Sequence, residues 1–413
     1  MMRAKNLLQE VDIRSETGTE EMLSVSHITG ITPRREKKVT MFEAESTEGY
    51  KICEIGQIAA NTMWTWQGAI GVSSFYGIVS PAYNVYKQRG SSYDYRYLDI
   101  LLREKHLVNE YRCNSTGLRP SRLRLYADKF LCISLPLPPP DEQTQIVRYL
   151  DAMTAKINKL IRAKKKQIAL LHEQKQAIIN QAVTKGLDPN VEMKDSGIRF
   201  GTHIPTHWTA IPAKYVVNIT NGSDPQNTGE IPVYGSGASS FKTCGEFKEG
   251  PAVLLGRKGA TLNIPHYITG KYWNVDTAFD AKTKNCSYDL RFYFYCATCF
   301  DYFFYMSQTT LPSMTQSDYG NMRLPYPPNN EQTDIFEHLD KHCRGIDTLI
   351  AQCKKEIALA VEYKNSLISA VVTGKMDIRG LTVEDVLPED VTIDDEEAGE
   401  DVEEETTEAE SED

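Results

Sequence analysis

The chain has 413 residues, 41% of them hydrophobic, enough for two or three domains with real cores. No apolar run reaches membrane-spanning length, and the start, MMRAKNLLQEVD, lacks the apolar stretch of a secretory signal, so no membrane partner is expected. The formal net charge of −10 is unevenly placed: residues 383–413 hold 17 acidic side chains and no Lys or Arg, and without them the remainder carries +7, a balance that suits a polyanionic partner.

Residues 1–140 read as a mixed α+β domain with short β-like runs such as Tyr50–Gly56. Arg34, Arg35, Lys37 and Lys38 form a basic cluster beside a Gly-Thr-Pro loop, and Arg119, Arg122 and Arg124 form another. Asn61, Trp64 and Gln67 stand beside glycine in NTMWTWQG, a mixture of amide and ring donors suited to base edges. The plainer alternative for each cation is a solvated surface charge, and for each Trp a core anchor.

Residues 141–195 read as a long helix and linker. Pro-rich LPLPPP precedes it, Asp141 is a plausible N-cap, and Glu142 sits in the first turn where the helix dipole favours anions. Apolar residues recur at steps of three and four: Ile146, Leu150, Met153, Ile157, Leu160, Ile168, Leu171, Ile178 and Ala182. Lys164 and Lys175 interrupt the stripe, and Lys164 to Lys166 are expected to face solvent or a partner. Gly186 marks the helix end and Pro189 stops it.

Residues 196–329 form a second α+β region, with a β-like run at Pro251–Gly256. Arg257 and Lys258 lie between two glycines, where backbone can approach a phosphate closely, and Asn221, Tyr234, Ser236 and Lys271 are further candidates for DNA contact. GIVSPAYNVYK (77–87) and YWNVDTAFDAK (272–282) look like counterparts, as do the EIG and LLG strand ends before them. Cys296 and Cys299 in RFYFYCATCFDYFFY read as thiols on a buried helix face rather than half of a zinc site.

Residues 330–382 repeat the first helix. Leu324–Thr373 matches Leu135–Thr184 at an offset of 189 residues without a gap. Asn330 is the matching N-cap candidate, and the stripe is Ile335, Leu339, Ile346, Leu349, Ile357, Ala360, Leu367 and Val371, broken by Lys364, with Gly374 at the end. Two such copies imply tandem half-molecules related by an internal two-fold, with both seams buried against each other as an antiparallel coiled coil. The remaining segment, 383–413, is too polar to bury a core; it reads as a disordered solubilising tail, or more sharply as a competitor for the basic surface.

Signatures of catalysis are not found. The sequence has no D/N-P-P-Y/F tetrad, no glycine-rich cofactor loop and no P-loop. Asp280-Ala-Lys282 is half of a nuclease motif, but Asp276 is too near to supply the upstream acid. The histidines are expected to form no metal-ligand set; His203 and His207 stand four apart, but Pro205 and Pro212 argue against a helix there. The nine cysteines are scattered and odd in number, which fits free thiols in the cytoplasm.

The whole pattern resembles the specificity subunit of type I restriction–modification systems, HsdS. The motifs that carry the resemblance are PLPPPDEQ (136–143) and PYPPNNEQ (325–332), AVTKG (182–186) and VVTGK (371–375), SGIRFGTHIPTHW (196–208) with Phe200 in place of the usual Trp, SVSHITGITPR (24–34) and VYGSG (233–237). The resemblance implies two target recognition domains alternating with two conserved helices. It implies a non-catalytic subunit that binds double-stranded DNA, two HsdM methyltransferases using S-adenosylmethionine, and HsdR motor–nuclease subunits using ATP and Mg. No catalytic, cofactor or metal residue is expected in this chain itself. Helices of roughly 65 Å, at about 1.5 Å per residue, would act as a ruler between half-sites about one turn apart, so that a split, asymmetric sequence is read.

The opening phrase has no copy before the first domain, which is therefore expected to lack that β-element and its Trp, through trimming or an upstream start. Replacing Leu160 and Leu349 by Asp is expected to abolish subunit assembly. The alternatives are an orphan or silent specificity protein, and a coiled-coil scaffold without DNA readout. The bases recognised and the spacer length do not follow from the sequence.

Overall fold

The computed structural model describes residues 1–36, 46–119, 122–237, 239–284, 287–307 and 312–381, so Lys37, Lys38 and the acidic segment lie outside the described residues. The chain divides into two compact units, Met1–Ala163 with Glu356–Asp413, and Lys164–Lys355.

The first unit is centred on an antiparallel sheet of β1 (Leu8–Val11), β2 (Ile58–Ala60), β3 (Ile70–Val72) and β4 (Asn84–Gln88), in the order β1-β4-β2-β3. The second repeats it with β5 (Val217–Asn221), β6 (Ala252–Gly256), β7 (His266–Ile268) and β8 (Ala278–Thr283), in the order β5-β8-β6-β7. The register repeats too. Ile58 faces Val72 and Tyr86, and Val253 faces Tyr267 and Ala281, each pair of equivalents 195 residues apart. The apolar run Ala252–Gly256 is fully buried, as a central strand covered on both faces requires.

The counterparts GIVSPAYNVYK and YWNVDTAFDAK hold, because Asn84–Gln88 and Ala278–Thr283 form the matching strands β4 and β8. The pairing of EIG with LLG does not. Glu54–Gly56 forms the turn before β2, whereas Leu254–Gly256 lies within β6 and matches Ala59–Asn61. The two short strings stand 200 residues apart, five off the 195-residue offset that the strand ladders keep throughout this region.

A duplicated clamp joins each sheet layer to its long helix. The helices α1 (Tyr95–Leu102) and α4 (Leu290–Ala297) each follow a Ser-Tyr-Asp tripeptide, residues 92–94 and 287–289, whose Asp caps the helix N-terminus. The long helices are α3 (Pro140–Lys185) and α5 (Asn329–Val372). Gln143 in α3 is fully buried; its Oε1 accepts from Asp94 N at 2.7 Å, and its Nε2 donates to the carbonyls of Ser92 at 3.0 Å and Pro138 at 2.9 Å. Gln332 repeats every bond, accepting from Asp289 N at 2.7 Å and donating to Ser287 at 3.1 Å and Pro327 at 2.9 Å. Tyr93 and Tyr288 add matching bonds to the carbonyls of Pro136 and Pro325.

Asp141 and Asn330 lie inside the first turns rather than at the N-caps, because Pro140, whose missing N–H costs nothing at that position, already opens α3, and Asn329 opens α5. Glu331 has a further role. Its two oxygens accept from Trp208 Nε1 and meet His207 Nε2, both at 2.8 Å, fastening the fully buried Trp208. In the first unit, strand Met2–Arg3 pairs with Ser134–Leu135 as Thr209–Pro212 pairs with Arg323–Tyr326. The hairpin Met193–Ile198/Gly201–Pro205 and Trp208 have no counterpart among the described residues of the first unit.

The two long helices pack antiparallel. In the first unit the start of α3 (Ile146, Leu150, Ile157) packs with the end of α5 (Leu367, Val371), and in the second the end of α3 (Ile179, Ala182) packs with the start of α5 (Ile335, Leu339). Ile346 is also buried, and Ile168 and Ile357 are half-buried. Leu160 and Leu349 are not in the seam: they are 50% and 48% exposed. From Ile157 the packed position is four residues on, at Ile161, and from Ile346 it is Ile350; a step of three points about 100° away. Leu160→Asp and Leu349→Asp should therefore each change stability by no more than about 0.5 kcal/mol, while Ile350→Asp should cost about 3 kcal/mol or more by burying a carboxylate among apolar groups. Thermal unfolding of the three variants checks this; equal losses would contradict the seam described.

The lysines that break the stripe are used. Lys175 Nζ reaches Asp347 at 2.6 Å, and Lys364 Nζ reaches Asn158 at 3.2 Å. These are the same contact under the 189-residue repeat. Gly186 and Gly374 end the two helices with φ of +73° and +72°, where a Cβ would be strained.

Candidate nucleic-acid interface

The turn from β2 to β3 runs from Asn61 to Ala69, and the segment at the equivalent positions, Gly256–Ile264, begins on the last residue of β6 and leads towards β7. Both flanks share the 195-residue offset, so NTMWTWQGA and GRKGATLNI occupy the same place in the two units. The two segments chosen from the sequence for different chemical reasons are thus equivalents. A second loop returns to each turn. Leu125 N donates to Thr62 O at 3.1 Å, and Met314 N donates to Arg257 O at 2.9 Å.

In the first unit Asn61 is buried and frames the turn. Its carbonyl accepts from Trp64 N and Thr65 N, its Oδ1 from Met63 N, and its Nδ2 donates to the Tyr83 hydroxyl at 3.0 Å. It is therefore corrected from a contact candidate to a framework residue. Trp64 is 46% exposed and stacks on Trp66 with centroids 6.4 Å apart and planes 17° apart. Trp66 Nε1 donates to Met63 O, which leaves its face to Arg112, whose guanidinium lies 6.0 Å from the ring centroid. Arg112 belongs to α2 (Lys105–Asn114) and was missed in the sequence, where it stands alone between uncharged neighbours. Gln67 is half-buried.

Thr116 and Arg124 exchange two backbone bonds, closing a loop that exposes Arg119, Arg122 and Arg124 beside the tryptophans' turn. Arg34 lies near Tyr83, whose hydroxyl is raised in pKa by burial, with Arg34 opposing the shift. Arg35 is exposed and paired with Glu21 at 3.2 Å, which commits much of its charge.

In the second unit, Gly256 packs so closely on the Leu262 backbone that a Cβ would clash, and Gly259 has φ of +108°. Between them Arg257 is half-buried, donating from one guanidinium nitrogen to Asp276 O at 3.2 Å and lying 5.9 Å from the Phe279 centroid. Lys258 bridges to Ser313 of the returning loop, and Ser236 Oγ meets Thr261 Oγ1 at 3.1 Å. The Tyr234 ring lies tilted by 36° against His266 with centroids 5.7 Å apart, and its carbonyl accepts from Val275 N. Asn221, exposed, ends β5 opposite Phe279. Asn221, Tyr234, Ser236, Arg257 and Lys258 are thus brought to one end of the sheets. Lys271 is not: it opens the strand Lys271–Asn274, whose far end pairs with Tyr234, and its ammonium lies 4.2 Å from the Phe247 ring centroid.

The remaining chemical candidates are structural. Asp280 is buried and accepts from Lys248 at 2.7 Å, Thr220 at 2.6 Å and Tyr272 at 3.0 Å, so its oxygens are already occupied. The equivalent positions in the first unit, Cys53 for Lys248 and Val85 for Asp280, pack in an apolar cluster instead. Cys296 and Cys299 are buried free thiols, and burial pushes Cys299 up to about 11, away from the reactive thiolate. Among the described residues no group of three metal-ligating side chains occurs, and no helix is long and apolar enough to cross a membrane.

A duplicated α+β scaffold with two equivalent turn-and-loop surfaces, one aromatic and arginine-rich, one glycine-framed and basic, defines a tandem recognition protein. The profile described as Type I restriction modification DNA specificity domain matches residues 216–359. The type I restriction enzyme MjaVIII specificity subunit of Methanocaldococcus jannaschii is 24% identical over 351 residues, covering 76% of this chain and 79% of that one. A chain from a structural study of complex assembly and conformational transition of the type I R-M system superposes with a TM-score of 0.68 at 15% identity, over 91% of this chain and 97% of that one. The HsdS subunit from Thermoanaerobacter tengcongensis gives 0.51 at 16% identity, over 91% and 96%. Residues 216–359 thus match the type I restriction modification DNA specificity domain, and most of the chain is similar to type I restriction enzyme specificity subunits.

Proposed function

We propose that this chain is the DNA-reading subunit of a type I restriction–modification complex, each unit meeting one half of a bipartite, asymmetric site in double-stranded DNA. The observation that carries this reading is the pair of equivalent turns with unlike side chains: Thr62-Met63-Trp64 stands where Arg257-Lys258-Gly259 stands in the other unit. Equal placement gives two contacts of one kind, and unequal chemistry gives them different preferences. The helix pair would carry two HsdM subunits, which bring S-adenosylmethionine for adenine-N6 methylation, and HsdR with ATP and Mg would add restriction, all in the cytoplasm.

Co-expression with an HsdM partner in a methylation-free host, followed by genome-wide mapping of N6-methyladenine, tests this. A new split motif modified on both strands is expected; no motif from a soluble, co-purifying complex contradicts DNA readout. Arg257→Ala with Lys258→Ala should weaken DNA binding by about 10–100-fold and reduce the salt slope by about one to two. A double variant with wild-type affinity and salt slope would remove the second turn from the interface.

A further inference from the structure

α5 carries His338 and His342 four residues apart on one face, a spacing passed over in the sequence. Their rings stack with centroids 4.1 Å apart and planes 29° apart. His342 is exposed and His338 half-buried. His342 Nδ1 lies 2.8 Å from the His338 carbonyl oxygen. A carbonyl only accepts, so Nδ1 carries the hydrogen and the lone pair is left on Nε2. A backbone carbonyl holding one ring nitrogen so that the other is free to ligate is the usual support of a metal-bound imidazole. The acids nearby are Asp334, one turn before His338, Glu337, and Asp340, which is paired with Arg344 at 3.0 Å; Lys341 flanks the pair and opposes a cation in part.

We infer that His338 and His342 form a bidentate site for a borderline transition-metal cation of the Zn²⁺ or Ni²⁺ type. Two imidazoles at i and i+4 on a helix converge on one ion, as in zinc-binding helices, with metal–nitrogen distances of about 2.0–2.1 Å. Among the described residues no third ligand completes a set with these two, so the remaining positions fall to water or to a donor from a neighbouring subunit. Both donors are imidazoles and Asp340 is ion-paired with Arg344, which favours imidazole-preferring ions over Mg²⁺ and Ca²⁺.

The test is calorimetric titration of the untagged full chain with NiCl₂, a probe that suits imidazole. One saturable site is expected in the wild type. His338→Ala and His342→Ala should each weaken it by about tenfold or more. His172→Ala, a solitary exposed histidine on α3, should leave it unchanged, and far-UV circular dichroism should match wild type throughout. Superimposable isotherms for wild type and the two variants, or no saturable binding, would overturn the site.

Discussion

Gln332→Leu is expected to destabilise the second unit by about 3 kcal/mol. The substitution keeps the volume but leaves the Asp289 N–H and the Ser287 and Pro327 carbonyls without their partner. Each buried polar group stranded in this way costs about 1–3 kcal/mol, and relaxation around a single site keeps the total below the sum. The loss has a local meaning, because the released N–H belongs to the cap of α4 and the carbonyl to the turn entering α5. Gln143→Leu should do the same to the first unit through Asp94, Ser92 and Pro138. Thermal unfolding followed by circular dichroism reads both. A melting temperature within a degree of wild type would mean that the clamp is satisfied by water rather than by the amide.

Replacing residues 61–69 by the sequence of 256–264 should change the first half of the recognised motif and leave the second half as it was. The exchange needs no insertion or deletion, since both turns sit between strands of identical register. Leu125 N would still find a carbonyl at position 62, because that bond is to backbone. What changes is the outward chemistry, a stacked Trp64–Trp66 pair giving way to Arg and Lys between glycines. Each base pair that no longer suits its reader costs about 1–3 kcal/mol, enough to move methylation to a new first half-site. Mapping N6-methyladenine in cells carrying the exchange gives the result directly. An unchanged motif from a folded, methylating complex would show that the turn does not read bases.

The long helices were legible because their stripe, their prolines and their terminal glycines repeat at a fixed spacing. The rotation of the seam was not: steps of three and four both continue a stripe, and only packing decides between Leu160 and Ile161 or Leu349 and Ile350. The globular halves were legible as strands but not as copies, because Val85 answers to Asp280 and Cys53 to Lys248, so identity is lost where the backbone is kept. Ser-Tyr-Asp at 92–94 and 287–289 was the overlooked signal; three residues shared at the same 195-residue offset as the strands would have set the alignment. For the recognition surface, residue type separated cations from framework poorly. Asn61 looked like a base reader and is used up inside its own turn, whereas Arg112 becomes notable only when α2 brings it over Trp66.

The paired contacts Lys175–Asp347 and Lys364–Asn158 give the helix pair a mechanical property. An apolar seam alone resists sliding weakly, because leucine and isoleucine meet similar neighbours one heptad along. A slip of one heptad, about 10 Å, in one direction would carry Lys175 from Asp347 to Lys354 and Lys364 from Asn158 to Lys165, setting like charges against each other. Sliding in that direction is therefore opposed by charge as well as by packing.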